Sequence, residues 1–151
     1  MNNIKDLLGK AQHYCAYSER CHADVKLKLY EWGAHPDLVN ETMAKLIEQG
    51  FLNEERYALA YCRGKFIHNH WGKVKIMQGL KAKQISNYCI NKGLQSIDEA
   101  EYLESLKKII NNYWDKQKGM KEFDKKGKTA KFAIQKGYES NLVWEIVNNL
   151  K

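Results

Sequence analysis

The stretch GFLNEERYALAY, residues 50–61, decides the fold. The segment before it, residues 38–49, carries apolar residues at helical spacing, and Gly50 suits the left-handed position just past a helix end. Phe51 is placed to fold back onto Leu46, a contact that often accompanies such a cap. Asn53 is a good N-cap for a following helix, and Glu54 and Glu55 fall in its first turn, where the helix dipole favours negative charge. Leu52 and Tyr57 have the spacing of a hydrophobic staple. One helix therefore stops and another begins within a few residues.

The same joint recurs. LNEERY (52–57) matches IDEAEY (97–102): an apolar residue, an Asn or Asp cap, an acidic first turn and an aromatic staple partner. Other columns align after shifts of 51 and then 53 residues. Val25, Ile76 and Thr129 coincide, as do Leu29, Leu80 and Ala133, then Ala34, Ile85 and Tyr138. Leu38, Cys89 and Leu142 follow, with Val39, Ile90 and Val143, and Met43, Leu94 and Val147. Gly33 and Gly137 fill one turn of this repeat, with Gln84 between them. The pattern predicts nine helices near 4–19, 22–32, 36–49, 53–70, 73–84, 86–96, 98–118, 121–136 and 139–150. The expected fold is all-α: three tandem three-helix repeats (1–52, 53–97 and 98–151) forming an elongated, curved body. Each repeat is too small to bury a full core alone.

Composition agrees with this reading. Hydrophobic residues make up 44% of 151, enough for a real core, and Pro36 is the single proline. No apolar run approaches the roughly 20 residues that cross a bilayer. The start, MNNIKDLLGK, lacks the apolar core of a secretory signal, so a cytoplasmic protein with no membrane contact is expected. In that compartment Cys15, Cys21, Cys62 and Cys89 are reduced thiols. His13, Cys15, Cys21 and His22 lack the spacing of a zinc site, and His68 and His70, two apart, do not share a helix face.

The charge is uneven. Residues 60–97 hold seven basic residues (Arg63, Lys65, Lys73, Lys75, Lys81, Lys83 and Lys92) and no Asp or Glu; the rest of the chain has 18 of each sign. The whole net charge of +7 lies in this segment. An acid-free run points to an acidic partner, where a solvated face would mix signs. Chance and solubility remain the bland alternative. Arg63, Lys65, Lys73, Lys75, Lys81 and Lys83 are the candidate partner-binding residues, with Lys73, Lys75 and Lys81 read as exposed. Tyr57, Tyr61, Phe66, Trp71 and Tyr88 could stack on bases, but helical spacing favours core positions. Trp32, Trp71, Trp114 and Trp144 are read as packing between repeats, with Trp71, beside Gly72 and the His and Lys cluster, the one that could touch a partner.

These residues resemble the RecX family, regulators of the bacterial RecA recombinase. GFLNEERYALAYCRGK is similar to the family's segment in which Leu and two acidic residues precede Arg, an aromatic and Ala, here Leu52, Asn53, Glu54, Arg56, Tyr57 and Ala58. WGKVKIMQGLKAKQI is similar to its next segment through Gly72, Lys73, Ile76, Leu80, Lys83 and Ile85. DVKLKLYEWG matches upstream through Asp24, Val25, Leu29 and Gly33, and AKFAIQKGYESNLVWEIV downstream through Phe132, Lys136, Gly137, Tyr138 and Ile146. Three positions depart from the pattern: Cys21 replaces a Ser and removes a good N-cap, Asn53 replaces an Asp, and Gln84 stands where Gly is usual.

The resemblance implies a non-enzymatic monomer without cofactor or metal. It would bind the RecA–DNA filament and restrain RecA's ATPase and strand exchange in recombination, DNA repair and the SOS response. No phosphate loop after a strand, nucleophile elbow or HExxH motif opposes that. Two other readings stay open: a helical protein acting directly on single- or double-stranded DNA through its basic middle, and a generic helical scaffold.

Overall fold

The structure is a computed structural model, and it describes residues 3–151. At the first joint the Asn53 side chain accepts the Arg56 amide at 2.8 Å; at the second, Asp98 accepts that of Glu101 at 3.0 Å. Both are N-caps that satisfy an amide the helix cannot. Among the described residues the chain forms nine helices and no strand. They are α1 (Ile4–Tyr17), α2 (His22–Glu31), α3 (Pro36–Glu48), α4 (Glu54–Asn69), α5 (Lys73–Ala82), α6 (Asn87–Gln95), α7 (Glu99–Lys116), α8 (Glu122–Gln135) and α9 (Ser140–Val147).

The turns repeat in atomic detail. Gly33, Gln84 and Gly137 have φ of 84°, 63° and 103°. Each donates its amide to the carbonyl three residues back, and the next residue donates to the one five back: Ala34 to Leu29, Ile85 to Leu80, Tyr138 to Ala133. This double closure requires a left-handed residue, which is cheap for glycine and strained for Gln84. Gly50 closes α3 in the same way, with Phe51 donating to Leu46. The aligned residues Val25, Ile76 and Thr129 are all buried, as are Leu29, Leu80 and Ala133, and Val39, Ile90 and Val143.

Contacts divide the chain into two compact units. The first comprises residues up to Ala60 with Leu80–Lys92. Its core is built on Leu7, Val25, Leu29, Val39, Leu46 and Leu52, with Tyr14, Trp32 and Phe51 packed against it. Each such aliphatic side chain contributes roughly 1.5–3 kcal/mol by leaving water. Arg56 ties the joint down. Its guanidinium donates to the Gly50 carbonyl at 3.0 Å and pairs with Glu19. Cys21 corrects the sequence reading: its buried sulfur accepts the Asp24 amide at 3.4 Å, so α2 keeps a side-chain cap, though a weak one.

The second unit comprises Tyr61–Gly79 and Gly93–Lys151. One stripe of α7, Tyr102, Leu106, Ile110 and Trp114, is buried at four-residue steps. Tyr102 packs between Phe66 (ring centroids 5.8 Å apart) and Tyr138 (5.1 Å). The tryptophans do not share one role. Trp32 meets Tyr14 edge-on and Trp114 is buried, but Trp144 is 39% exposed and Trp71 half-exposed.

Candidate partner-binding site

The linker between α4 and α5 is held from behind. α4 ends with His70 in the left-handed region (φ 57°), its amide on the Phe66 carbonyl and that of Trp71 on Lys65. The Gly72 amide then donates to the Lys136 carbonyl at 2.8 Å, and Val74 to Gly137 at 2.9 Å. The Lys73 amide donates to the Tyr102 hydroxyl at 2.9 Å, and the Tyr138 hydroxyl to the His70 carbonyl at 3.2 Å. The approach is so close that a Cβ on Gly72 would lie 2.3 Å from backbone atoms of Gly137 and Tyr138. Tyr102 completes the mount by donating its proton to the Glu139 carboxylate. Burial, and then that carboxylate, push the Tyr102 phenol well above its ordinary value; burial also raises that of Tyr138.

Trp71 stands on this mount with two cations on its ring. Lys65 Nζ lies 4.8 Å and Lys75 Nζ 4.6 Å from an indole ring centroid. Such cation–π contacts are worth roughly 0.5–1 kcal/mol each where exposed, and they hold two long side chains near one point. Arg63 is exposed on the last turns of α4. The sequence marked Trp71 as a packing residue that could touch a partner beside the His and Lys cluster; the shared ring is what the fold adds.

The six candidates do not all gather there. Lys65 and Lys75 meet at Trp71. Lys73 is not an open charge: its side chain is 20% exposed, pairs with Glu99 at 3.2 Å and lies over the Tyr102 ring. Lys83 belongs to the first unit and pairs with Asp24 at 2.9 Å, both side chains more than a third exposed. Lys81, in the first unit, is exposed. Lys92, also there, reaches over the exposed Tyr88 ring.

Other chemistry is quiet. Burial raises the thiols of Cys15 and Cys21 and pushes that of Cys62 up to about 11, so these three stay protonated at neutral pH. Among the described residues no three His, Cys, Asp or Glu are placed to hold a metal, and no helix is long and apolar enough to cross a membrane.

Residues 53–94 match the family model described as RecX, second three-helix domain. The chain is RecX-like. The regulatory protein RecX of Bacillus mycoides is 22% identical over 142 residues, 94% of this chain, and that of Streptococcus uberis 24% identical over 143 residues, 93% of it. The chain spans about half the length of these curated relatives, 53% and 54%. The crystal structure of RecX from Lactobacillus salivarius superposes with a TM-score of 0.88 over 97% of this chain and 96% of that one, at 22% identity. A second RecX crystal structure gives 0.84 over 97% of this chain and 74% of that one, at 24% identity. These structures establish the RecX fold for the chain.

Proposed function

We propose that this RecX-like chain is a regulatory protein that binds the RecA–DNA filament and restrains RecA's ATPase and strand exchange. It acts as a cytoplasmic, non-enzymatic monomer without cofactor, built as three repeats, 1–52, 53–97 and 98–151. The observation that carries this reading is the likeness to proteins named regulatory protein RecX over more than nine-tenths of the chain. The acid-free segment 60–97 supports an acidic partner surface, and within it Lys65 and Lys75 converge on the Trp71 ring.

The test is RecA's ATPase on single-stranded DNA with the chain added, beside a pull-down of RecA with and without DNA and a non-hydrolysable nucleotide. Inhibition that grows with added chain, and capture that needs the filament, are expected; no effect on either overturns the reading. The triple variant Arg63→Glu, Lys75→Glu, Lys81→Glu avoids the two lysines already engaged in internal ion pairs. It keeps its fold, since Arg63 and Lys81 are exposed charges contributing about 0–1 kcal/mol each and half-buried Lys75 gives up one cation–π contact of about 0.5–1 kcal/mol, and it loses filament binding with a weaker salt dependence. Lys107→Glu, Lys118→Glu, Lys128→Glu is the matched control. Equal loss in both triples makes the charge merely global.

Direct action on DNA is the second reading, favoured by a half-exposed indole flanked by lysines. It wins if the first triple loses naked DNA but keeps RecA.

A further inference from the structure

A second surface lies in the second unit, along a face of α7 that the Trp71 site does not use. There a groove of about 690 Å³ runs between the end of α4 and α7, with Phe66 and Ile67 on one side and Ser105 and Ile109 on the other. A smaller cavity of about 200 Å³ shares His70, Ile109 and Asn112 with it and continues to Lys116, Phe132 and Lys136. Together they follow α7 from Ala100 to Lys116 at alternating one- and three-residue steps, a length of ~24 Å at 1.5 Å per residue. The lining of the larger part is mainly apolar, and Ile67 is 57% exposed.

The rim is polarised. Glu101 and Glu104 stand at the end near the start of α7. Lys108 follows, and Lys116 and Lys136 stand at the far end. The dipole of α7 has the sense that places its negative end beside those lysines. Helices in general carry acids in the first turn and bases in the last. A helix laid antiparallel to α7 therefore sets its acids over Lys116 and Lys136 and its bases over Glu101 and Glu104, while its dipole opposes that of α7. A parallel helix meets like charges at both ends. A second copy presenting the same face also has opposed charges, but two concave surfaces leave the apolar floor uncovered.

We infer that the α7 groove binds an amphipathic α-helix of a partner protein, antiparallel to α7, with an acidic first turn, an apolar stripe and a basic last turn. This is recognition of a helix in a groove, with the rim charges setting direction. It is independent of the filament reading, because it uses neither Trp71 nor the residues changed in the triple variant.

The probe is a designed labelled helix of about 16 residues, matching the ~24 Å groove, with Glu in its first turn, Leu at three- and four-residue spacing and Lys in its last turn. A charge-swapped peptide of equal composition and measured helicity is the control. Fluorescence anisotropy with the full chain should show the first peptide binding at least about tenfold tighter than the second. Ile67→Asp, on an exposed side chain, should abolish binding without lowering the melting temperature or changing RecA inhibition. The four-fold change Glu101→Lys, Glu104→Lys, Lys108→Glu, Lys116→Glu should reverse the peptide preference. Equal binding of the two peptides, binding to neither, or indifference to Ile67→Asp overturns the inference. So does concentration-dependent dimerisation that Ile67→Asp abolishes, because the groove's occupant is then a second copy.

Discussion

Gly33 and Gly137 end α2 and α8 with the same left-handed backbone and the same pair of hydrogen bonds, yet their surroundings differ. A Cβ added at Gly33 meets nothing within 4 Å. At Gly137 it would lie 2.4 Å from Lys75 Cβ and 2.9 Å from the Lys75 nitrogen. One glycine is required by the turn alone; the other also by the chain packed over it. The contrast shows that a repeated residue need not have one repeated cause. The backbone turn is a property of each helix pair, whereas the crowding at Gly137 comes from the first turn of α5, more than 60 residues earlier.

The largest effect should separate these two positions. Gly137→Ala should lose roughly 2–5 kcal/mol, from left-handed strain plus overpacking against Lys75. Gly33→Ala should lose only about 1–2 kcal/mol, from strain alone. Urea midpoints measure both, and equal losses would break the comparison. Next is Tyr102→Phe, which strips the mount behind Trp71 of a hydroxyl that donates to Glu139 and accepts from Lys73. It should cost about 1–3 kcal/mol, because both partners stay partly buried.

The same variant sharpens a pH effect. The folded chain holds the Tyr102 and Tyr138 phenol protons more tightly than the unfolded chain does. Their contribution is therefore complete below the ordinary tyrosine value of about 10 and declines as pH rises beyond it. Urea midpoints taken from about pH 8 to 11 should fall, and fall less steeply in Tyr102→Phe. The smallest effect belongs to the middle turn. Gln84→Gly should stabilise by up to about 1 kcal/mol, as relief of left-handed strain outweighs the added freedom of the unfolded chain. A loss there would show that the Gln84 side chain has a packing role.

Much of this was legible in the residues. The two joints announced themselves because caps and staples are local chemistry, and the predicted helices fall within about three residues of those formed. Gln84 was placed at the glycine turn by alignment alone, and it adopts the glycine conformation. What the sequence hid depends on long-range contact. Lys73 read as an exposed charge, and Lys83 as a partner-binding candidate, because Glu99 and Asp24 lie 26 and 59 residues away. Trp71 read as core because periodicity cannot reveal a linker mounted on Lys136 and Gly137. The α7 groove was invisible for another reason: its residues lie beside a strong buried stripe, and their pattern looks like an ordinary solvated face.

The hydrogen bonds from Gly72 to Lys136 and from Val74 to Gly137 also set an order of events. Their partners are 64 and 63 residues apart, 136 less 72 and 137 less 74. Synthesis at roughly 5–20 residues per second leaves an interval of about 3–13 s between the two ends leaving the ribosome. The residues of the Leu7–Leu52 cluster all lie in the first 52 residues and emerge before Gly72 does. For those seconds the nascent chain carries its α4–α5 linker without the carbonyls that will hold it, and the amides of Gly72 and Val74 exchange with solvent until the turn at Gly137 arrives.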